Sequence, residues 1–168
     1  MFKLVSMTHR NLFTSLLDLR TVFSVAILLL GAAGGMAADF DGDGVADEFN
    51  VTHEAEKVAK EAGVKLANPW HEKRSSSQSA KGLGLVIQLS RAPQKYLLQD
   101  AEFFNTPSWK EGQSLARVIT KKDKGYAAWK KQVPALRADA IELGTEAGID
   151  ILLYWDGRWR LFWPKEEP

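Results

Sequence analysis

A chain of 168 residues in which 45% are hydrophobic and 26% charged has room for one ordinary hydrophobic core, and that balance excludes a fibrous or wholly disordered chain. The formal net charge is +1, from 22 basic and 21 acidic side chains, so no general electrostatic attraction to nucleic acid or to an anionic membrane follows. There is no cysteine, which rules out disulfides and lipidation at a lipobox and leaves the core and any bound metal to hold an exported chain together.

Lys3, Arg10 and Arg20 precede a short apolar run, residues 22–31, and then a small-residue stretch, residues 32–38. This is the three-part layout of a Sec-type secretory signal. Gly35 and Ala37 offer small side chains at the positions a signal peptidase reads, which predicts cleavage after Ala37. Residues 22–38 taken together, 17 residues, are marginal for spanning about 30 Å of hydrocarbon, and no adjacent arginines mark a twin-arginine route. The expected organisation is a signal peptide over residues 1–37 and one calcium-loop-containing domain over 38–168. The mature protein is then periplasmic or secreted, with no nucleic-acid partner and no membrane contact beyond the signal segment. Its 19 basic and 20 acidic side chains nearly cancel.

The mature chain begins with Asp39-Phe-Asp-Gly-Asp-Gly-Val-Ala-Asp47. Asp39, Asp41, Asp43 and Asp47 occupy positions 1, 3, 5 and 9, and Gly44 occupies position 6. Alternate carboxylates converge when a short loop wraps round a cation, and glycine permits the sharp turn. Four carboxylates so close repel one another, and a hard divalent cation relieves that repulsion; Ca²⁺ suits oxygen ligands and adaptable geometry better than Mg²⁺. The carbonyl of Val45 falls at the position 7 ligand. An EF-hand needs a bidentate Glu at position 12, where this chain has Asn50.

The D-x-D-x-D-G-x-x-D run resembles instead the integrin-like FG-GAP or VCBS-type calcium loops, which sit between strands. That resemblance implies that Asp39, Asp41, Asp43, Val45 and Asp47 bind a structural Ca²⁺, with Asp47 giving two oxygens. A single copy in a chain of this length excludes a β-propeller. With its C-terminal Tyr-Trp-Asp-Gly run, the chain also resembles small exported bacterial proteins of unassigned function.

Val51, Ala55, Val58, Ala59 and Ala62 recur at helical spacing, predicting a helix over 51–62 that stops at Gly63. Residues 68–82 are polar and serine-rich, a loop in which His71 and Arg74 read as solvated. Residues 85–90 and 95–100 predict a hairpin, and residues 116–120 a weaker strand. A short helix around Tyr126 and Trp129 ends before Pro134, and a strand follows over 139–143. The last hairpin turns at Asp156-Gly157, which predicts a two-residue turn that opposes Trp155 to Arg158 and Tyr154 to Trp159. One face is then Leu152, Tyr154, Trp159, Leu161 and Trp163. The other carries Trp155, Arg158 and Arg160, a candidate partner-binding surface through stacking and cation–π contact.

The expected fold class is α+β: a mainly antiparallel sheet with one or two short helices and an N-terminal calcium loop. The expected function is that of an exported calcium-binding protein, a non-enzymatic envelope or secreted module with a protein or glycan partner. Beside it stand a periplasmic inhibitor or immunity protein that blocks an enzyme, and a carbohydrate-binding module. No G-x-S-x-G, H-E-x-x-H or phosphate-binding glycine loop is present, so no enzyme is expected.

Overall fold

The structure is a computed structural model that describes residues 36–71, 81–91, 94–110 and 115–164. Most of the predicted leader, most of the serine-rich loop and Arg74 lie outside the described residues. The strands are β1 (Met36–Ala38), β2 (Asp47–Thr52), β3 (Val64–Ala67), β4 (Gly84–Leu89), β5 (Gln94–Leu98), β6 (Ala116–Ile119), β7 (Ala140–Gly144), β8 (Asp150–Trp155) and β9 (Trp159–Phe162). Four short helices accompany them: α1 (Ala55–Ala59), α2 (Ala101–Phe104), α3 (Pro107–Lys110) and α4 (Lys124–Gln132). Among the described residues no helix is long and apolar enough to cross a membrane.

Two sheets result. One runs in the order β1-β2-β4-β5-β3, antiparallel except where β3 lies parallel to β5. The other runs β6-β7-β8-β9 and is antiparallel throughout. Side chains alternate across each strand, and one set from each sheet meets in a shared core. Phe49, Leu85, Ile87 and Leu98 from the first sheet join Ile141, Leu143, Ile151, Leu153 and Trp159 from the second. The α2 and α3 segments add Phe104 and Trp109 to the same core.

The outward sets are covered too. Ala55 and Val58 of α1 pack on Val86 and Leu97, and Trp129 of α4 packs with Ile119, Ala140 and Leu152. The layering is therefore helix, sheet, sheet, helix. Gly84 permits the close seat of α1, because a Cβ there would stand 2.9 Å from Leu97 Cδ1 and 3.4 Å from Ala55 Cβ. Glu142 is buried under α4, accepting from Trp129 Nε1 at 2.8 Å and Arg117 Nε at 3.2 Å. A buried carboxylate needs such partners to offset its lost hydration.

The mixed, sheet-dominated architecture agrees with the α+β expectation, with four helices in place of one or two. The hairpin of β4 and β5, strands β6 and β7 and helix α4 lie where the residues predicted them. Two local expectations are corrected. The helix expected over 51–62 is α1 alone, five residues long, because Val51 continues β2 opposite Leu85 and packs on the intersheet core. The helix closes at Lys60, before the expected stop, and Gly63, with φ +81°, turns the chain into β3.

The last hairpin is shifted by one residue. Trp155 pairs with Trp159 and Tyr154 with Arg160, so Asp156, Gly157 and Arg158 form a three-residue connection with Gly157 at φ +89°. A one-residue slip exchanges the faces of one strand. The observed register gathers Ile151, Leu153, Trp155, Trp159 and Leu161 on the intersheet side and keeps Arg158 out of the ladder. Trp163, expected in the core, is 52% exposed.

Candidate metal centre

The aspartate loop joins two antiparallel neighbours, since Ala38 ends β1 directly opposite Asp47 at the start of β2. Gly42 and Gly44 turn the chain with φ +79° and +84°, a region that side chains disfavour. Short hydrogen-bonded turns then aim the carboxylates. Asp43 N–H donates to Asp41 Oδ1 at 3.1 Å, Val45 N–H to Asp43 Oδ1 at 2.8 Å, and Gly44 N–H to Asp39 Oδ2 at 3.2 Å. Aspartate is suited to this, because its short side chain mimics a backbone turn.

Each of the three carboxylates thus spends one oxygen on the loop and keeps the other. One ligating oxygen from each of Asp39, Asp41 and Asp43 lies within 4.8 Å of the others. Asp39 Oδ1 and Asp43 Oδ2 are shut away from water and receive no hydrogen bond. Buried oxygens in that state call for a partner. Arg91 Nε approaches Asp43 Oδ2 to 3.3 Å without hydrogen-bond geometry, from a side chain that is 66% exposed. The donor set is all oxygen and anionic, which fits Ca²⁺.

Asp47 sits elsewhere. It is 1% exposed, and its two oxygens accept Phe40 N–H and Ser90 N–H, each at 2.9 Å. Burial raises its pKa, partly opposed by those two hydrogen bonds. The structure brings Asp39, Asp41 and Asp43 together and places Asp47 behind them, tying the loop to the turn between β4 and β5. The hydroxyl of Ser90 reinforces that tie by donating to the Ala46 carbonyl. Val45 contributes its N–H to Asp43, and its side chain is 38% exposed.

Two further anchors hold the loop. Phe40 is fully buried, with its ring edge-on to Phe49 at 6.3 Å and to Trp159 at 6.0 Å. Asp39 is bonded at its backbone to Asp139, whose Oδ1 also accepts Lys121 N–H at 2.9 Å. Ser90, Arg91 and Asp139 carry no local sequence signal for this role, because they lie far along the chain from the loop they hold.

The candidate partner-binding residues cluster only in part. Trp155 lines a cavity of about 230 Å³ with Asn68, Tyr96, Arg158 and Trp159, and a second of about 430 Å³ with Asp41, Arg137 and Asp156. Arg160 lies on the opposite face of β9 and reaches Asp156 Oδ1 at 3.3 Å. No family model matches this chain, and no curated protein or solved structure matches it either.

Proposed function

We propose that the protein is an exported calcium-binding module in which Asp39, Asp41 and Asp43 hold a structural Ca²⁺, with the Val45 carbonyl and water completing the shell. Its role is non-enzymatic, binding or structural, in the envelope or outside the cell. The observation that carries this reading is a convergent carboxylate trio in which two buried oxygens receive no hydrogen bond, Asp39 Oδ1 and Asp43 Oδ2, the second facing only the exposed guanidinium of Arg91. When bound, the ion cancels the mutual repulsion of the trio. Asp47 serves the site by tying Phe40, within the loop, to Ser90 in the turn between β4 and β5.

A site with Kd of about 10⁻⁴ M in about 10⁻³ M calcium adds about 1.4 kcal/mol, enough to order the loop against the two sheets. Calorimetry of the chelator-treated chain with CaCl₂ tests the reading, repeated on Asp41→Ala and Asp43→Ala. Binding to the wild type alone supports it, and equal heats for all three reject it.

A second reading, glycan recognition, is favoured by the position of Trp155 on the walls of two cavities. Indole faces stack on sugar rings as they do on other flat apolar surfaces. Polysaccharide that quenches tryptophan fluorescence in the wild type and not in Trp155→Ala supports this, and unchanged emission removes it.

A further inference from the structure

The one parallel pairing among the described strands brings two segments of the same polarity to one end of a sheet. Ala67 of β3 pairs with Leu98 of β5, and Gln99 N–H extends the ladder to the Ala67 carbonyl at 3.2 Å. Residues 68–71 and 100–102 therefore emerge side by side beyond the carboxyl ends of the two strands.

Asp100 is 3% exposed there. Its Oδ1 accepts Glu102 N–H at 3.0 Å and Phe103 N–H at 2.9 Å, and its Oδ2 accepts Asn68 Nδ2 at 3.0 Å. That leaves one acceptor direction on Oδ2. His71 Nε2 stands 3.3 Å from this oxygen. Asn68 also sets the backbone of the histidine, its Oδ1 accepting Trp70 N–H at 3.0 Å and His71 N–H at 3.2 Å. Glu102 supplies a third donor, and one ligating atom from each of His71, Asp100 and Glu102 lies within 4.8 Å of the others.

We propose that His71, Asp100 and Glu102 form a second metal site, separate from the aspartate loop, that takes Zn²⁺. An imidazole with two carboxylates suits Zn²⁺, whereas Ca²⁺ prefers oxygen alone. Two ligands about 2.0 Å from a tetrahedral Zn²⁺ stand about 3.3 Å apart. The observed separation of His71 Nε2 and Asp100 Oδ2 is 3.3 Å. The Asn68 amide and two backbone N–H groups brace Asp100 from behind, the outer support that metal-bound carboxylates receive. The His71 side chain is 34% exposed, so the ion enters from solvent and a water takes the fourth position.

The test is titration of the untagged full chain with ZnCl₂ in calcium-saturated buffer, which keeps the aspartate loop out of competition. The expected result is one equivalent bound, with affinity at least about tenfold lower in His71→Ala and in Glu102→Gln. Co²⁺ should give the strong visible absorption of a four-coordinate ion in the wild type and in His53→Ala, and lose it in His71→Ala. Asp100 is left unchanged because it also caps α2, and Glu102→Gln provides the reading if His71→Ala does not fold. No zinc uptake by the wild type, or equal uptake by wild type, His71→Ala and Glu102→Gln, overturns the proposal and leaves a metal-free histidine–aspartate pair. Neither result bears on calcium binding, which is measured with a different ion at different residues.

Discussion

Asp39 and Asp139 clasp each other across the two sheets. Asp39 N–H donates to Asp139 Oδ2 at 3.1 Å, and Asp139 N–H returns to the Asp39 carbonyl at 2.9 Å. The first residue follows β1 and the second precedes β7, so the pair fastens the aspartate loop of one sheet to the leading edge of a strand in the other.

Asp139→Ala removes the acceptors of both Asp39 N–H and Lys121 N–H. The expected loss is about 1–2 kcal/mol of stability, since the freed groups are only partly shielded from water. Because the side chain also positions Asp39, calcium affinity should fall as well. Urea unfolding in calcium and in chelator separates the effects: the loss is larger in calcium. Equal losses in both media would show that the clasp does not reach the loop.

Asp47→Ala leaves the buried N–H of Phe40 and the partly buried N–H of Ser90 without a partner. An unsatisfied buried donor costs about 1–3 kcal/mol, so a loss in that range, carried mainly by the Phe40 N–H, is expected even with calcium chelated. Asp47→Asn retains one acceptor and should fall near half of that. A variant that loses stability only in calcium would instead make Asp47 a ligand.

The carboxyl of Asp150, on an exposed residue, has its pKa raised, first by partial desolvation and then by the charge of Glu142 and a hydrogen bond with it. A raised folded pKa means that the folded chain holds this proton to higher pH than the unfolded chain does. Its contribution to stability is therefore present at acid pH and is lost as pH rises through the folded value. Asp150→Asn keeps a hydrogen-bonding side chain without the titration. It should flatten part of the fall in melting temperature between about pH 4 and neutrality. A pH profile parallel to that of the wild type would remove this assignment.

Gly84→Ala places a methyl group 2.9 Å from Leu97 Cδ1 and 3.3 Å from the Leu98 carbonyl, beneath α1. Overpacking of this kind costs about 1–3 kcal/mol. The shortfall should appear as a lower urea midpoint with an unchanged slope. Gly125→Ala, in α4 where a Cβ meets nothing within 4 Å, is the contrasting control and should leave the midpoint unchanged or somewhat higher.

What the residues determine by themselves is local. The spacing of Asp39, Asp41 and Asp43 with Gly44 is enough to aim three carboxylates inward, because each turn is closed by an N–H within five residues of its acceptor. Alternation along residues 85–90 and the turn at Gly157 likewise specify hairpins, since both partners lie in one short stretch. The tertiary structure decided everything that depends on distant chain. Asp47 reads in the sequence as one more loop residue, and only the fold shows that its oxygens also accept the N–H groups of Phe40 and of Ser90, 43 residues away. The register of the last hairpin follows from which face the opposite sheet buries, and its turn pair alone points one residue away. His71 and Asp100 have no common pattern in the chain. They meet because β3 enters the sheet parallel to β5, and a parallel pairing with intervening strands leaves no short-range mark in the residues that it joins.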